Sequence, residues 1–319
     1  MLQQTQVSRV DERFPAFMRR FPTVEALAAA EVDDVLAEWS GMGYYRRARN
    51  LHAAARMIVG EMGGAFPRTA AELRRLPGVG RYTAGAIASI AFGLAEPVVD
   101  GNVARVLLRI HGLDAGSDDR EVQARLWAMA GWIAAASVSP GVVNEALMEL
   151  GATVCLPAPA TPSCGRCPLR GECLARRMGK QSEIPKPKVR RGKSVMYCGV
   201  VVVMRRDGSL LVEQRPTTGM WGGLWQAPTE ESADAAPAAD RLAGELGLDP
   251  RTLRPESIFE HHTTHRRVVF RVWRAGDPGT AYSPPRGLWM SAEKIERLAL
   301  SNPQRRILLE SGVGGTLFG

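Results

Sequence analysis

In the first half of the chain, apolar positions recur every three or four residues. "TVEALAAAEVDDVLAEWS" and "RRARNLHAAARMIVGEM" both carry this spacing, which is the period of a helix with one buried face. Thr69 and Glu72, three apart ahead of Leu73, make a capping-box pattern. No pair of alternating strands interrupts this half up to about residue 175. Beyond about residue 195 the period changes. "VMYCGVVVVM" and "SLLVEQR" are β-branched runs separated by the turn signal "RRDG". A helix-like stretch, "ADAAPAADRLAGELG", and a further strand, "RRVVFRVW", follow. The pattern predicts an all-α region over 1–175 and an α/β or α+β region over 195–319. The intervening 176–194 holds "KQSEIPKPKVRRGKS", whose prolines and charges read as a linker. There is no internal repeat.

Composition narrows the class. The chain has 319 residues, enough for about two domains. With 45% hydrophobic and 23% charged residues it fits a globular protein. No run approaches the ~20 apolar residues of a membrane span, and the N-terminus lacks a secretory pattern. A cytoplasmic, nucleoid-associated monomer with no membrane partner is expected. The net charge of +8 makes nucleic acid a plausible partner. The excess is concentrated: Arg176 to Lys193 holds eight basic residues against Glu183. That stretch is either a solvated linker or a segment that follows phosphates.

Four of the five cysteines, Cys155, Cys164, Cys167 and Cys173, fall in "CLPAPATPSCGRCPLRGEC". Thiols so close in a cytoplasmic protein argue for a metal centre over disulfides. Zinc and a 4Fe–4S cluster both accept four thiolates, and spacing does not choose between them. Cys198 lies apart, in an expected strand, and reads as a small buried hydrophobe.

"LPGVGRYTAGAIASIAFG" places Gly78 and Gly80 in a tight turn, with a helix beginning near Tyr82. Amide groups at such a helix start can hold a phosphate without side chains. A helix-hairpin-helix DNA contact is one reading, and an ordinary helix connection the other. In "PVVDGNVARVLLRI", Asp100 stands just before a helix. It reads as an N-cap. The same position suits a carboxylate that faces a developing cation, since the helix start favours negative charge.

Together, "LPGVGRYTAGAI", "VVDGNVARVL", "NEALMELGATVC" and the four cysteines resemble the helix-hairpin-helix DNA glycosylases. "WSGMGYYRRARNLH" and "GMWGGLWQAP" are similar to the A/G-specific adenine glycosylases (MutY). The resemblance covers nearly the whole chain. It implies an all-α glycosylase domain with an iron–sulfur loop, then a Nudix-like α/β/α domain. It implies a 4Fe–4S cluster on Cys155, Cys164, Cys167 and Cys173, and a DNA substrate in which adenine is mispaired with 8-oxoguanine or guanine. By the same resemblance Asp100 stabilises the sugar cation, with Tyr82 and Asn102 beside it. Gly78 and Gly80 hold a phosphate, and Glu145 contacts the extruded adenine. Gln4 and Tyr44 enter the base stack, Thr5 and Met42 line it, and Thr264 and His265 read the lesion.

The resemblance also marks departures. It places "LQQT" inside a helix, and the acid that protonates adenine two positions before Met1, with a further helix ahead of it. Endonuclease III, the nearest rival, has a nucleophilic lysine where this chain has Tyr82, so hydrolysis without lyase chemistry is implied. The first cysteine gap holds eight residues where six are usual. Thr263, Thr264 and His265 stand in place of Phe-Ser-His, within a reading loop expected over Phe259–His265. His261 and His262 read as solvated loop rather than metal ligands. "ADRLAGELG" offers only Asp240 and Glu245 toward a Nudix magnesium site, so the second domain reads as a recognition module. A lesion-binding protein without turnover is the alternative function.

Overall fold

The computed structural model describes residues 1–5, 7–187, 192–234 and 237–310. The helices of the first half are α1 (Val7–Arg20), α2 (Val24–Ala29), α3 (Val32–Glu38), α4 (Arg46–Glu61), α5 (Ala70–Leu73), α6 (Arg81–Ala86), α7 (Gly101–Ile110), α8 (Arg120–Ala135), α9 (Pro140–Thr153) and α10 (Leu174–Arg177). The second half has β1 (Ser194–Val203), β2 (Leu210–Gln214), β3 (Trp225–Gln226), β4 (Thr229–Ser232), α11 (Ala239–Glu245), β5 (Arg254–His262), β6 (Arg266–Ala275), β7 (Leu288–Met290), α12 (Ala292–Glu296) and α13 (Asn302–Arg305). Packing divides the chain into two compact units: residues 60–190, and residues 1–59 together with those from 191 onward. This partition differs from the division at 175 and 195 drawn from periodicity. Among the described residues, no helix is long and apolar enough to cross a membrane.

In the 60–190 unit, α7 is the central element. Its Val103, Val106, Leu107 and Leu108 are buried with Leu126 of α8, Leu147 of α9 and Ala175 of α10. The predicted capping box is present. Thr69 Oγ1 accepts from Glu72 N, and Glu72 Oε2 accepts from Thr69 N at 3.2 Å. The expected linker begins as part of this core. Ile184 is fully buried, its carbonyl accepts from Arg109 Nε at 2.7 Å, and Lys186 N donates to Ala115 O at 3.0 Å. Lys188, Arg190 and Arg191 of the basic stretch lie outside the described residues.

In the other unit, a four-stranded sheet has the order β4-β1-β6-β5, with β1 and β6 parallel and the remaining pairs antiparallel. A second sheet has the order β3-β2-β7. One apolar layer joins Val200, Val202, Val212, Phe270 and Ile307. Another joins Val201, Val203 and Leu211 to Leu242 and Leu246 of α11 and beyond. A third is shared with the N-terminal helices: Trp39, Leu36, Phe17 and Tyr45 pack with Leu224 and Ala299. The Tyr45 hydroxyl donates to Leu300 O at 2.8 Å. Residues 1–59 are therefore cored partly by the sheet-bearing half of the sequence, which explains the partition.

Two expectations are corrected. Residues 2–5 form a turn, with Thr5 N donating to Leu2 O at 3.4 Å, and the helix starts at Val7. Gln4 takes φ 56°, which a right-handed helix excludes, and Arg47 occupies the carbonyls of Met1 and Gln3 that a helix would use internally. The stretch "TVEALAAAEVDDVLAEWS" is two helices. Ala30 is extended at ψ 153°, and its carbonyl is bonded by the His52 ring at 3.0 Å.

Candidate active site, cysteine loop and reading surface

Asp100 is the N-cap of α7, as expected. Its Oδ1 accepts from Val103 N at 2.7 Å and its Oδ2 from Asn102 Nδ2 at 3.2 Å. One oxygen thus ties the carboxylate to the helix start, and the other faces Asn102. Tyr82, on α6, is half-buried and donates its hydroxyl to Met148 Sδ at 3.0 Å. Burial first, and then the Asp100 carboxylate, push its phenol above the ordinary value. Tyr82 therefore stays a neutral hydroxyl beside Asp100 and is no base at physiological pH. Glu145 is exposed on α9, three residues before Met148, on the same helical edge.

Asn102 is held from the other side. Its Oδ1 accepts from Arg105 Nη2 at 2.8 Å. Arg105 also donates to Gly151 O at 2.7 Å and, through Nε, to Cys155 O at 2.7 Å. One turn on, Arg109 Nη1 donates to Cys155 Sγ at 3.2 Å and to Leu156 O at 2.9 Å. One helix thus connects Asp100, through Asn102 and Arg105, to the first cysteine. The motif reading missed both arginines. Their signal was faint: basic residues at the same face of an apolar helix, where a buried charge requires partners.

Cys155, Cys164, Cys167 and Cys173 line one cavity with Arg109, Arg170, Arg176 and Gln181. Cys164 is pushed up by burial first, then by the other three thiols. The four thiols and the guanidinium groups of Arg109, Arg170 and Arg176 thus share one space. Among the described residues no three His, Cys, Asp or Glu side chains gather as the ligands of one ion, and four soft thiolates suit zinc and an iron–sulfur cluster alike.

At the glycine turn, Gly78 has φ 77°, a conformation suited to glycine. Gly80 does not share it: its φ is −84° and an added Cβ would meet nothing. Gly80 serves instead as the N-cap of α6, and no side chain caps that helix. The start of α6 is therefore open to an outside acceptor, as a phosphate contact requires.

Gln4, Thr5, Met42 and Tyr44 lie in the other unit and are brought together there. Arg47 Nη2 donates to Thr5 Oγ1 at 2.8 Å and to Met42 O at 3.2 Å. Its guanidinium lies 5.5 Å from the Tyr44 ring and 5.3 Å from that of Trp39. Tyr44 has φ 48°; with Gln4 and Trp221 it is one of three non-glycine residues in the left-handed region among the described residues. Such backbone strain in bulky side chains persists where the surroundings impose it. The Tyr44 hydroxyl is 2.7 Å from Thr264 Oγ1. His265 is exposed, and its carbonyl accepts from Ser194 N at 3.3 Å.

The reading loop is shorter than expected. Phe259–His262 belong to β5, and the turn is Thr263–His265. Phe259 stacks on Phe270 at 5.0 Å, within the sheet packing. His261 lies 5.8 Å from Trp221, and His262 is 3.4 Å from Glu260. Strands add acids outside the α11 stretch: Glu213 on β2, and Glu230 and Glu231 on β4. Glu213 meets Arg286 at 2.8 Å, and Arg286 lies 3.7 Å from Glu245. Glu231 pairs with Arg215, and Glu230 with Arg241. Each of these strand acids is thus paired with an arginine.

A helical unit that caps a carboxylate beside a glycine turn and a cysteine loop, in a chain that also carries a Nudix-type sheet, defines a base-excision DNA glycosylase architecture with an added module. Residues 1–130 match the HhH-GPD superfamily base excision DNA repair protein family, and residues 199–310 match the NUDIX domain. The human adenine DNA glycosylase is 35% identical over 96% of this chain and 66% of its own length. The rat adenine DNA glycosylase is 33% identical over 96% of this chain and 69% of its own. The chain thus spans about two thirds of the length of these relatives. A thermostable thymine-DNA glycosylase structure is 27% identical, covering 56% of this chain and 80% of that one, with a TM-score of 0.49. The chain belongs to the adenine DNA glycosylase family.

Proposed function

We propose that the protein hydrolyses the N-glycosidic bond of adenine in DNA where adenine is mispaired with 8-oxoguanine or guanine. The observation that carries this is Asp100, fixed at the start of α7 between Val103 N and Asn102, with the neutral Tyr82 beside it. Loss of adenine leaves positive charge on the sugar, and a fixed carboxylate lowers the energy of that state. Asn102 orients the carboxylate, and Arg105 orients Asn102. Tyr82 cannot form a Schiff base, which supports hydrolysis without strand scission. Cys155, Cys164, Cys167 and Cys173 would hold a 4Fe–4S cluster. When bound, the cluster supplies a cross-link for the loop and a charged body among Arg109, Arg170 and Arg176. Gly78 and the start of α6 take a backbone phosphate. Gln4 and Tyr44 enter the stack, and Thr264 with His265 reads the base opposite adenine.

Single-turnover adenine release on A:8-oxoguanine and A:G duplexes tests the proposal. The protein is expected to bind these duplexes and release adenine from them, and Asp100→Asn to abolish release while leaving duplex binding in place. Release by Asp100→Asn at the unsubstituted rate would overturn the proposal. Borohydride should trap no protein–DNA adduct at Tyr82.

A further inference from the structure

Arg47 organises the surface assigned above to base-stack entry. It donates to Met1 O at 2.8 Å, Thr5 Oγ1 at 2.8 Å, Met42 O at 3.2 Å and Gly43 O at 3.2 Å, and to Gln3 O. Its guanidinium carbon lies over the rings of Trp39 and Tyr44. Trp39 is itself 1% exposed and anchored by Nε1 to Gly43 O at 3.1 Å. One guanidinium therefore joins two segments: the turn at residues 1–5 and the turn at 41–45. Gln4 sits in the first and Tyr44 in the second, and both have left-handed backbone.

We infer that Arg47 is the positioning residue that presents Gln4 and Tyr44 as a pair to the mispair, and that specificity for the mispair over a normal pair depends on it. The inference rests on the proposed function. Its chemistry is particular to arginine. Donors in a fixed plane reach carbonyls on both segments while the delocalised charge lies over two rings, 5.3 and 5.5 Å from their centroids. Lysine offers one nitrogen and no stacking face. Among the described residues no backbone–backbone hydrogen bond joins the two turns, and the direct contact of Thr5 Oγ1 with Met42 O is long, at 3.5 Å, so without Arg47 each strained residue can relax toward ordinary backbone angles. Arg46, one residue earlier, is exposed. It supplies a control of equal charge.

The experiment places 2-aminopurine next to the mispair in A:8-oxoguanine and A:G duplexes, with an A:T duplex as reference. Fluorescence reports unstacking by inserted side chains, and titration gives affinity. The chain, R47Q, R47K and R46Q are compared, each with its thermal melt. The unsubstituted chain and R46Q should raise the fluorescence and prefer the mispairs. R47Q and R47K should lose the rise and about tenfold or more of the preference, the size expected of one charge-assisted hydrogen bond. Their affinity for A:T should stay within about threefold. If R47Q melts early, R47K decides: loss of preference with A:T affinity retained supports the inference, and equal loss on all duplexes overturns it. A rise and preference unchanged in R47K overturn it as well, while leaving the proposed function standing. No rise with the unsubstituted chain removes both.

Discussion

Gly151 has room for a hydrogen and nothing larger. A Cβ there would stand 2.6 Å from Asn102 Cβ and 2.9 Å from Asn102 Cα. Gly151→Ala is therefore expected to cost about 1–3 kcal/mol of stability, because neither backbone can give way without moving a helix. It should slow adenine release more than it weakens duplex binding, since the displaced residue is the one that orients Asp100. Paired melting and single-turnover measurements separate the two. His261 makes a different prediction. Burial, and then His262, hold its folded-state value below the ordinary one. The stability it contributes is full above the unfolded value, near pH 6.5, and is lost as pH falls through the lower folded value. A melting series from pH 7.5 to 5 should show this fall, and His261→Gln should flatten it. The cap at Asp100 was legible because an acidic residue directly before an apolar helical run is a local signal. Arg47 was not: "YYRRARN" holds three arginines, and only tertiary placement distinguishes the one that clamps from Arg46, which is exposed, and Arg49, which packs beside Gly223.

The helices of the first half followed from periodicity, and the capping box at Thr69 was read correctly, because both are local. The failures share one cause. At Ala30 and at Met1–Gln3, backbone carbonyls that a helix would use are taken by side chains distant in sequence, His52 and Arg47. No window of neighbouring residues contains that information. The glycine turn was half legible, since the sequence does not say which glycine takes the left-handed angle. Gly78→Ala should cost about 1 kcal/mol or more and weaken duplex binding, whereas Gly80→Ala should change stability by only a few tenths of a kcal/mol. Differential scanning calorimetry on the two variants checks this. In α7, Arg105→Leu removes donors to Asn102, Gly151 O and Cys155 O together. It leaves buried acceptors unpaired, at about 1–3 kcal/mol each. Iron content per folded chain should fall with it, measured on protein purified without oxygen.

Across the whole chain the cysteines divide by environment. Cys198 is 1% exposed and its thiol is pushed up to about 12, by burial first and then Glu231. The other four are partly exposed. The iron-free folded chain should give four reactive thiols at pH 8 and a fifth only in denaturant. The reconstituted chain should be brown, with about four irons, and should protect those four. Stoichiometric zinc in place of iron would remove the cluster from the proposed function. The division of the sequence into helical and mixed halves was legible, yet packing assigns residues 1–59 to the sheet-bearing unit. Periodicity reports which face of a helix is buried and not what buries it; Leu224 and Ala299 cover Trp39 and Tyr45 from more than 150 residues away.

The contact between Tyr44 and Thr264 spans 220 residues of sequence. A substitution at 264 alters what Tyr44 touches, so the contact belongs to the pair of segments and to neither alone. Recombination that joins the opening segment of one relative to the sheet module of another would break the match while leaving each fold intact. Chimeras of that kind should recover function when positions 44 and 264 are exchanged as a pair, and lose it when either travels alone.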